Sequence, residues 1–207
     1  MRRLKRRLRR DVSVYRYPSV RGRFEDSARR LAKRIDREGP VDLVGYSFGG
    51  LVTLEAMRRS APGRVGRVVL ISTPVRGSAT ARKLLGHSRA GRWLVGHGAE
   101  VLAQGLADPL PDDVDIAVIA GTGGVGMGKV LGAMSGRNDG TVAVGETRLG
   151  GHEQRLVLPV THTGMLFSRT VVDAVASYLD SGRFPDNGPD DAGGVGSDAG
   201  SRHSALT

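Results

Sequence analysis

Short apolar runs alternate along this chain with stretches whose apolar residues recur at helical spacing, and this alternation constrains the fold more than any other feature. Strands are expected at residues 12–17, 41–45, 65–72, 116–120 and 156–160. Helices are expected at residues 23–38, 49–60 and 165–179. Buried strands that alternate with helices are typical of a parallel sheet covered on both faces. The sequence therefore predicts an α/β fold, with a mostly parallel sheet flanked by helices.

One domain is expected to occupy residues 1–184, since a chain of 207 residues can bury one hydrophobic core of good size. Within it, glycines interrupt the helical pattern of residues 78–110, and we expect this segment to form a small cap over a site. Residues 185–207 are rich in Gly, Asp and Ser, a composition typical of a disordered tail.

The net charge of +10 is concentrated at the start of the chain, where residues 1–10 read MRRLKRRLRR. This segment is expected either to pack on the body of the protein through Leu4 and Leu8 or to contact an anionic membrane weakly. Aromatic residues make up only 4% of the chain, which offers little for stacking on bases, so no nucleic-acid partner is expected. No apolar run resembles a signal peptide or a membrane span, which predicts a cytoplasmic protein. Its oligomeric state is left open.

Residues 45–49 read GYSFG and match G-x-S-x-G between a predicted strand and a predicted helix. A nucleophile elbow requires this context, because its tight turn leaves the serine hydroxyl exposed at the start of the helix. The glycines two residues before and two after Ser47 would let neighbouring backbones pass closely. The alternative is a Gly-rich turn whose serine only caps the helix. The agreement of strand, motif and helix favours Ser47 as a nucleophile, with the Phe48 amide as an oxyanion donor.

A serine hydroxyl is a weak nucleophile alone, so the chain must also supply a base and an orienting carboxylate. The chain has five histidines: His87, His97, His152, His162 and His203. Only His162 follows a predicted strand and precedes a predicted helix, which places it at the same sheet edge as Ser47. The sequence therefore predicts His162 as the base; the alternative is a structural histidine.

Asp139 is the predicted acid, because residues 138–142 (NDGTV) lie on a loop between the strand at 116–120 and the last strand. In this order of elements the acid and then the histidine follow the serine. The alternative is a plain Asp-Gly turn, which Asp favours on its own account. The acids at positions 108, 112, 113 and 115 precede a strand and face the opposite sheet edge.

A Gly-rich loop offers a competing interpretation. Residues 121–126 read GTGGVG, the dinucleotide-binding pattern, and residues 123–129 match G-x-x-x-x-G-K. Val130 stands where a phosphate-binding loop has Ser or Thr, and the following residues are too short and Gly-broken for the helix that would receive the phosphates. Nucleotide binding at 121–129 is thus a second alternative. The chain has no cysteine, and no cluster of its residues has metal-ligand spacing, so neither a metal nor a cofactor is expected.

Four segments, VDLVGYSFGGLV, ISTPVRGSAT, RNDGTVAV and VTHTGMLFS, resemble the bacterial lipase/esterase branch of the α/β-hydrolase superfamily. They are also similar to the GPI-inositol-deacylase-like hydrolases, and the resemblance covers about residues 12–184. It implies hydrolysis of carboxylic esters by a triad of Ser47, His162 and Asp139, without a cofactor. The substrate would be a small-molecule or lipid ester. Its acyl length and head group, and the choice between ester and thioester, stay open.

The chain departs from this family before the nucleophile. Members carry a strand ending in a His-Gly loop that supplies half of the oxyanion hole, but the 46 residues before Ser47 contain no His-Gly pair. In the family's order, residues 12–17 are the fourth strand, and the third lies between it and the nucleophile strand. We therefore expect an N-terminally incomplete α/β-hydrolase fold. The alternative function is a catalytically weak or inactive remnant that acts as an interaction module.

Overall fold

A computed structural model of the chain describes residues 6–8, 10–18, 22–87, 98–106, 114–124, 136–151 and 153–185. In this part of the chain four parallel strands pair in sequence order: β1 (Val41–Tyr46), β2 (Val65–Ile71), β3 (Ile116–Gly121) and β4 (Gln154–Leu158). The helices are α1 (Phe24–Glu38), α2 (Phe48–Arg59), α3 (Ala79–His87), α4 (Ala99–Gln104) and α5 (Arg169–Ser181). Short 3₁₀ turns lie at Val144–Thr147 and Thr163–Leu166. The predicted α/β fold class is confirmed.

The sheet has a helical layer on each face. Val68 and Leu70 of β2 pack in one cluster with residues of α2, whereas Val69 and Ile71 pack in another with residues of α5. Helix α1 packs in turn on α2, through a cluster that contains Ile35. Because successive side chains of a strand point to opposite faces, a strand covered on both faces must be apolar at every position. This is why β3 and the second half of β2, Val68–Ile71, read as continuous apolar runs.

Strand β1 differs, because it pairs only with β2 among the described residues. The amides of Val41 and Ser47 donate toward β2, to the carbonyls of Arg64 and Ile71. Since backbone groups alternate sides along a strand, those of Val44 and its alternate neighbours face the other way. A groove of about 990 Å³ runs along this free edge.

The prediction of a strand at residues 12–17 is wrong, because these residues belong to no sheet in the described part of the chain. No backbone hydrogen bond joins the described residues 10–18 to β1, from which the groove separates them. Side chains hold the segment instead. The Tyr15 hydroxyl donates to the Ser27 carbonyl at 2.8 Å, and the Tyr15 ring stacks on Tyr17 with centroids 5.8 Å apart. An extended segment becomes a strand only when a neighbour accepts and donates its hydrogen bonds.

Two predicted boundaries near the end of the chain are also wrong. Strand β4 ends at Leu158 rather than at residue 160, because Pro159 has no amide to continue the ladder. The helix predicted from residue 165 begins at Arg169 instead, where the Ser168 side chain caps it by accepting from the Val171 amide. As a result, Leu166 and Phe167 are 52% and 70% exposed rather than buried.

The described part of the basic N-terminal segment packs on the protein. Leu8 is buried in the cluster formed by α5 and the sheet. Arg7 pairs with Asp173 at 2.9 Å, and Arg10 pairs with Asp42 at 2.7 Å. These contacts favour the packed interpretation for residues 6–8 and 10, whereas residues 1–5 and 9 lie outside the described chain.

The predicted cap and tail fall largely outside the described residues. Residues 88–97 and 107–113 of the cap segment and residues 186–207 of the tail are not described. What is described of the cap is anchored to the body, since the Ser78 amide donates to the Leu102 carbonyl at 2.8 Å and Gly98 lies against the Phe48 ring. Among the described helices, none combines the length and the apolarity needed to span a membrane.

Candidate active site

Ser47 occupies a strained turn between β1 and α2. Its backbone has φ 51° and ψ −127°, a conformation that residues with a Cβ rarely adopt. Such a conformation costs about 1–3 kcal/mol and persists only where the surroundings enforce it. Here the Ser47 amide donates to the Ile71 carbonyl of β2 at 2.8 Å, which keeps the turn in register with the sheet. The serine is thereby held at the end of β1 with its hydroxyl over the start of α2.

Glycines around this turn let the backbones of β1 and α2 approach closely. This holds at Gly45, as predicted, but not at Gly49. A Cβ at Gly45 would collide with the Cα of Gly50, and a Cβ at Gly50 would collide with the Thr73 side chain. Gly49, by contrast, has room, because the nearest atom to its Cβ position is the Tyr17 hydroxyl at 3.4 Å. The close approach after the serine is therefore made by Gly50, which the sequence pattern did not single out.

His162 reaches Ser47 from the loop after β4. Its Nε2 lies 3.0 Å from Ser47 Oγ, and its Nδ1 lies 2.7 Å from Asp139 Oδ2. These three residues are separated by 115 and 23 positions in sequence, yet they form one hydrogen-bonded chain. The parallel sheet brings them together because Ser47, Asp139 and His162 all follow the carboxyl ends of strands.

The two carboxylate oxygens of Asp139 accept hydrogen bonds from different partners. Oδ1 accepts the amides of Thr141 at 2.9 Å and Val142 at 2.7 Å, and thus closes the Asp-Gly turn. Oδ2 faces His162, and the whole side chain is 0% exposed. Gly140, at φ 95°, adopts the left-handed conformation that this turn requires. Asp139 therefore closes an Asp-Gly turn and also faces His162, so the two interpretations of this residue are compatible.

The surroundings favour the ionised form of this buried carboxylate. Burial by itself would raise the pKa of Asp139. The hydrogen bond and charge of His162, helped by the Val142 amide and the Ser72 hydroxyl, outweigh burial and hold the pKa of that carboxyl below its ordinary value. With Asp139 ionised, the hydrogen at their shared bond belongs to His162 Nδ1, so the lone pair of Nε2 faces the Ser47 hydroxyl. The ring is thus arranged to accept a proton from the serine.

Ser72 and Tyr46 belong to the site although the sequence did not mark them. Ser72 follows β2 at φ 45°, and its buried hydroxyl lies 3.1 Å from Met165 Sδ as well as beside Asp139. A carboxylate is a much stronger acceptor than a thioether. Tyr46 donates its hydroxyl to the His162 carbonyl at 3.0 Å. No local pattern could reveal either contact, since each joins residues that are distant in sequence.

The Phe48 amide lies at the first position of α2, directly after Ser47. The first four amides of a helix have no acceptor within it, and the helix dipole adds partial positive charge at this end. The predicted oxyanion donor is therefore available beside the serine hydroxyl. The Phe48 ring packs on Phe24 and Tyr17, with centroids 5.8 and 6.4 Å apart, which fixes the residue in place.

The Gly-rich loop at 121–124 packs against the loop that carries His162. A Cβ at Gly121 would collide with the Val160 carbonyl, and one at Gly123 would lie 2.5 Å from the Thr161 amide. These two glycines of the dinucleotide-like pattern thus have a structural reason, while residues 125–129 lie outside the described chain. His97, His152, His203 and the side chain of His87 also lie outside the described chain. Among the described residues, no cluster of His, Asp and Glu could hold a metal ion.

Comparisons with known proteins agree with this architecture. No protein family and no curated protein matches the chain by sequence. Among solved structures, the chain is similar to the Bacillus licheniformis lipase BlEst2 in its mature form, with a TM-score of 0.60 and 23% identity over 79% of this chain and 74% of that one. The propeptide form matches with a TM-score of 0.58 and 25% identity, over 72% of this chain and 38% of that one. The parallel sheet, its two helical layers and these similarities show that the chain has an α/β-hydrolase-like fold.

Proposed function

We propose that this protein hydrolyses carboxylic esters, with Ser47 as nucleophile, His162 as general base and Asp139 as the orienting acid. The observation that carries the proposal is the hydrogen-bonded chain from Ser47 Oγ through the His162 ring to the buried Asp139 carboxylate, with links of 3.0 and 2.7 Å. A serine becomes a useful nucleophile when a base lies within hydrogen-bond reach and a third group orients that base. The fold supports the proposal, because the structures it resembles are those of a lipase.

In the first half of the reaction, His162 Nε2 removes the Ser47 proton while Oγ attacks the ester carbonyl. The imidazolium that forms is stabilised by the Asp139 carboxylate on its other side. The carbonyl oxygen becomes an oxyanion, to which the Phe48 amide donates a hydrogen bond. His162 then gives its proton to the leaving alcohol as the tetrahedral intermediate collapses to an acyl-enzyme.

In the second half, water enters and His162 removes its proton, so that hydroxide adds to the acyl carbon. Collapse of this second intermediate returns the proton to Ser47 Oγ and releases the carboxylic acid. Each proton passes through His162 Nε2, and Asp139 stays ionised throughout, as its lowered pKa favours. The ester, one water molecule and the chain's own residues balance both halves.

The proposed substrate class is a small-molecule or lipid ester. Leu166 and Phe167 lie four and five residues after His162 and expose apolar side chains beside the loop that bears it. Exposed apolar side chains next to a polar reaction centre suit an ester whose acyl part is apolar.

Intact-mass labelling of the purified chain with a fluorophosphonate tests the proposal directly, because only an activated serine attacks the phosphorus. We expect one adduct on the native chain and none on the Ser47→Ala variant. Ser60→Ala removes another serine hydroxyl, one that bonds the Ala56 carbonyl away from the site, and should label like the native chain. A folded native chain without an adduct would contradict the proposal.

That negative result would instead favour the second candidate, an inactive member of the fold that acts as an interaction module. The observation behind this candidate is the edge of β1 that no described residue pairs with, and that edge lines a groove. Unpaired strand edges readily accept a strand from another chain. The two candidates therefore differ in one measurable property, the reactivity of Ser47.

A further inference from the structure

We propose that Tyr46 is a positioning residue, which ties the loop of His162 to the strand of Ser47 and so fixes the distance between base and nucleophile. This inference rests on the proposed function. Tyr46 is the last residue of β1 and directly precedes Ser47. Its hydroxyl donates to the His162 carbonyl at 3.0 Å, across 116 positions of sequence.

The hydrogen bonds of the His162 backbone show why this contact matters. The His162 amide donates to the Asp139 carbonyl at 2.9 Å, which ties the histidine to the loop of its acid. The His162 carbonyl accepts from the Met165 amide at 3.3 Å, but that bond lies within the same turn and moves with it. The bond from Tyr46 is different in kind, because its donor belongs to β1. It links the His162 backbone to the element that carries the nucleophile.

The Tyr46 ring adds a second contact with the same partner. Its centroid lies 5.0 Å from that of the His162 imidazole, with the two planes at 36°. A tilted contact at this separation limits rotation of the imidazole away from Ser47. The ring is itself held by the core cluster formed by α5 and the sheet, against which it packs. The hydroxyl and the ring of Tyr46 therefore both act on His162, and the hydroxyl can be removed while the ring is kept.

The anchor is expected to persist across the working pH range. Burial, together with the nearby Asp139 carboxylate, raises the pKa of Tyr46 to about 12. The hydroxyl therefore keeps its proton and remains a donor wherever an ester hydrolase of this type would act. The pH-rate profile of the native chain around neutral pH should accordingly owe nothing to ionisation of Tyr46.

The test removes the Tyr46 hydroxyl and compares the effect with that of removing a tyrosine hydroxyl outside the site. Tyr46→Phe keeps the ring and removes the donor, whereas Tyr15→Phe removes a hydroxyl that also donates to a backbone carbonyl, that of Ser27 at 2.8 Å. With p-nitrophenyl butyrate as substrate, we expect Tyr46→Phe to lower kcat about tenfold with KM unchanged, below the ~10²-fold that a 1 Å misplacement costs. Tyr15→Phe should keep kcat within about twofold, since it lies outside the site. Equal kcat values for the two variants would overturn the proposal.

Nuclear magnetic resonance gives a readout that does not need turnover. The native chain should show a slowly exchanging Tyr46 hydroxyl proton and a sharp downfield resonance from the His162 Nδ1 proton. We expect Tyr46→Phe to broaden the His162 resonance and Tyr15→Phe to leave it sharp. If the native chain neither labels nor turns over, the proposed function fails while these resonances still decide the role of Tyr46. An unbroadened His162 resonance in Tyr46→Phe, or a rapidly exchanging Tyr46 hydroxyl in the native chain, would overturn it.

Discussion

Replacing Asp139 by Asn should invert the hydrogen-bond polarity of the site while leaving its shape intact. The amides of Thr141 and Val142 both donate to Oδ1, at 2.9 and 2.7 Å, so the Asn carbonyl must occupy that position. Its NH₂ group then replaces Oδ2 and donates to His162 Nδ1. That nitrogen must give up its hydrogen, and the ring proton moves to Nε2, where it faces Ser47. The base is lost although every atom stays in place.

The expected loss of kcat follows from this geometry. A histidine held in the wrong tautomer by such a substitution costs about 10⁴-fold in kcat, as the equivalent change does in serine proteases. At 1.36 kcal/mol for each tenfold change, this is a loss of roughly 5 kcal/mol of transition-state stabilisation. The folded structure should persist, because the turn keeps both of its backbone hydrogen bonds.

The stability of the same variant should lose part of its dependence on pH. The pKa of Asp139 is lowered in the native state, so its ionised form stabilises that state above the unfolded value of about 4. This contribution is lost as the pH falls through the lowered native pKa. Asn cannot ionise, so the variant should be less stable at neutral pH, by about 1–3 kcal/mol, and the difference from the native chain should shrink in acid.

Ester turnover, fluorophosphonate labelling and urea unfolding at several pH values together test this prediction. The matched control is Asp173→Asn, the same chemical change at an exposed carboxylate that pairs with Arg7. We expect the control to keep native kcat and nearly native stability, because exposed ion pairs contribute about 0–1 kcal/mol. An Asp139→Asn variant that retains a kcat within tenfold of the native value would refute the assigned tautomer and the role of the acid.

Three further predictions concern the packing and the support of the site, and a fourth concerns nucleotide binding. Gly50→Ala should destabilise the fold by about 1–3 kcal/mol, because its Cβ would collide with Thr73. Gly49→Ala should be neutral or stabilising, and thermal unfolding of the two variants tests the difference. Ser72→Ala removes a hydroxyl that favours the ionised form of the buried carboxylate, so acid unfolding should begin at a higher pH than in the native chain. Unchanged acid unfolding would contradict that reasoning. Gly123→Ala should displace the loop that carries His162 and lower the rate of fluorophosphonate labelling about tenfold. ATP and NAD should leave the melting temperature of the native chain unchanged, and a stabilising shift would revive the nucleotide interpretation.

The sequence by itself determined the sheet and its central turn. Apolar runs bounded by glycine, proline and helical patterns located β1, β2 and β3 to within one or two residues, because the stretches of a strand that are covered on both faces are apolar at successive positions. The pattern GYSFG between a strand and a helix likewise placed Ser47 at the end of β1. Order along the chain then selected Asp139 and His162 from several acids and five histidines.

Tertiary structure decided what depends on partners distant in sequence. Residues 12–17 alternate like a strand but pair with no strand in the described part of the chain, because pairing requires a neighbour that no local pattern can supply. The exposure of Leu166 and Phe167 follows from the cap at Ser168, which restarts the helix later than its apolar spacing suggests.

The contacts around the site also separate what the sequence determines from what the tertiary structure determines. The choice of serine, acid and histidine could be read from local patterns, but the hydrogen bonds of Tyr46 and Ser72 could not, because they cross from one strand end to another. A sequence states which side chains are available at each strand end. Only the packed sheet determines which of them meet, since hydrogen bonds of about 3 Å depend on the register and spacing of whole elements.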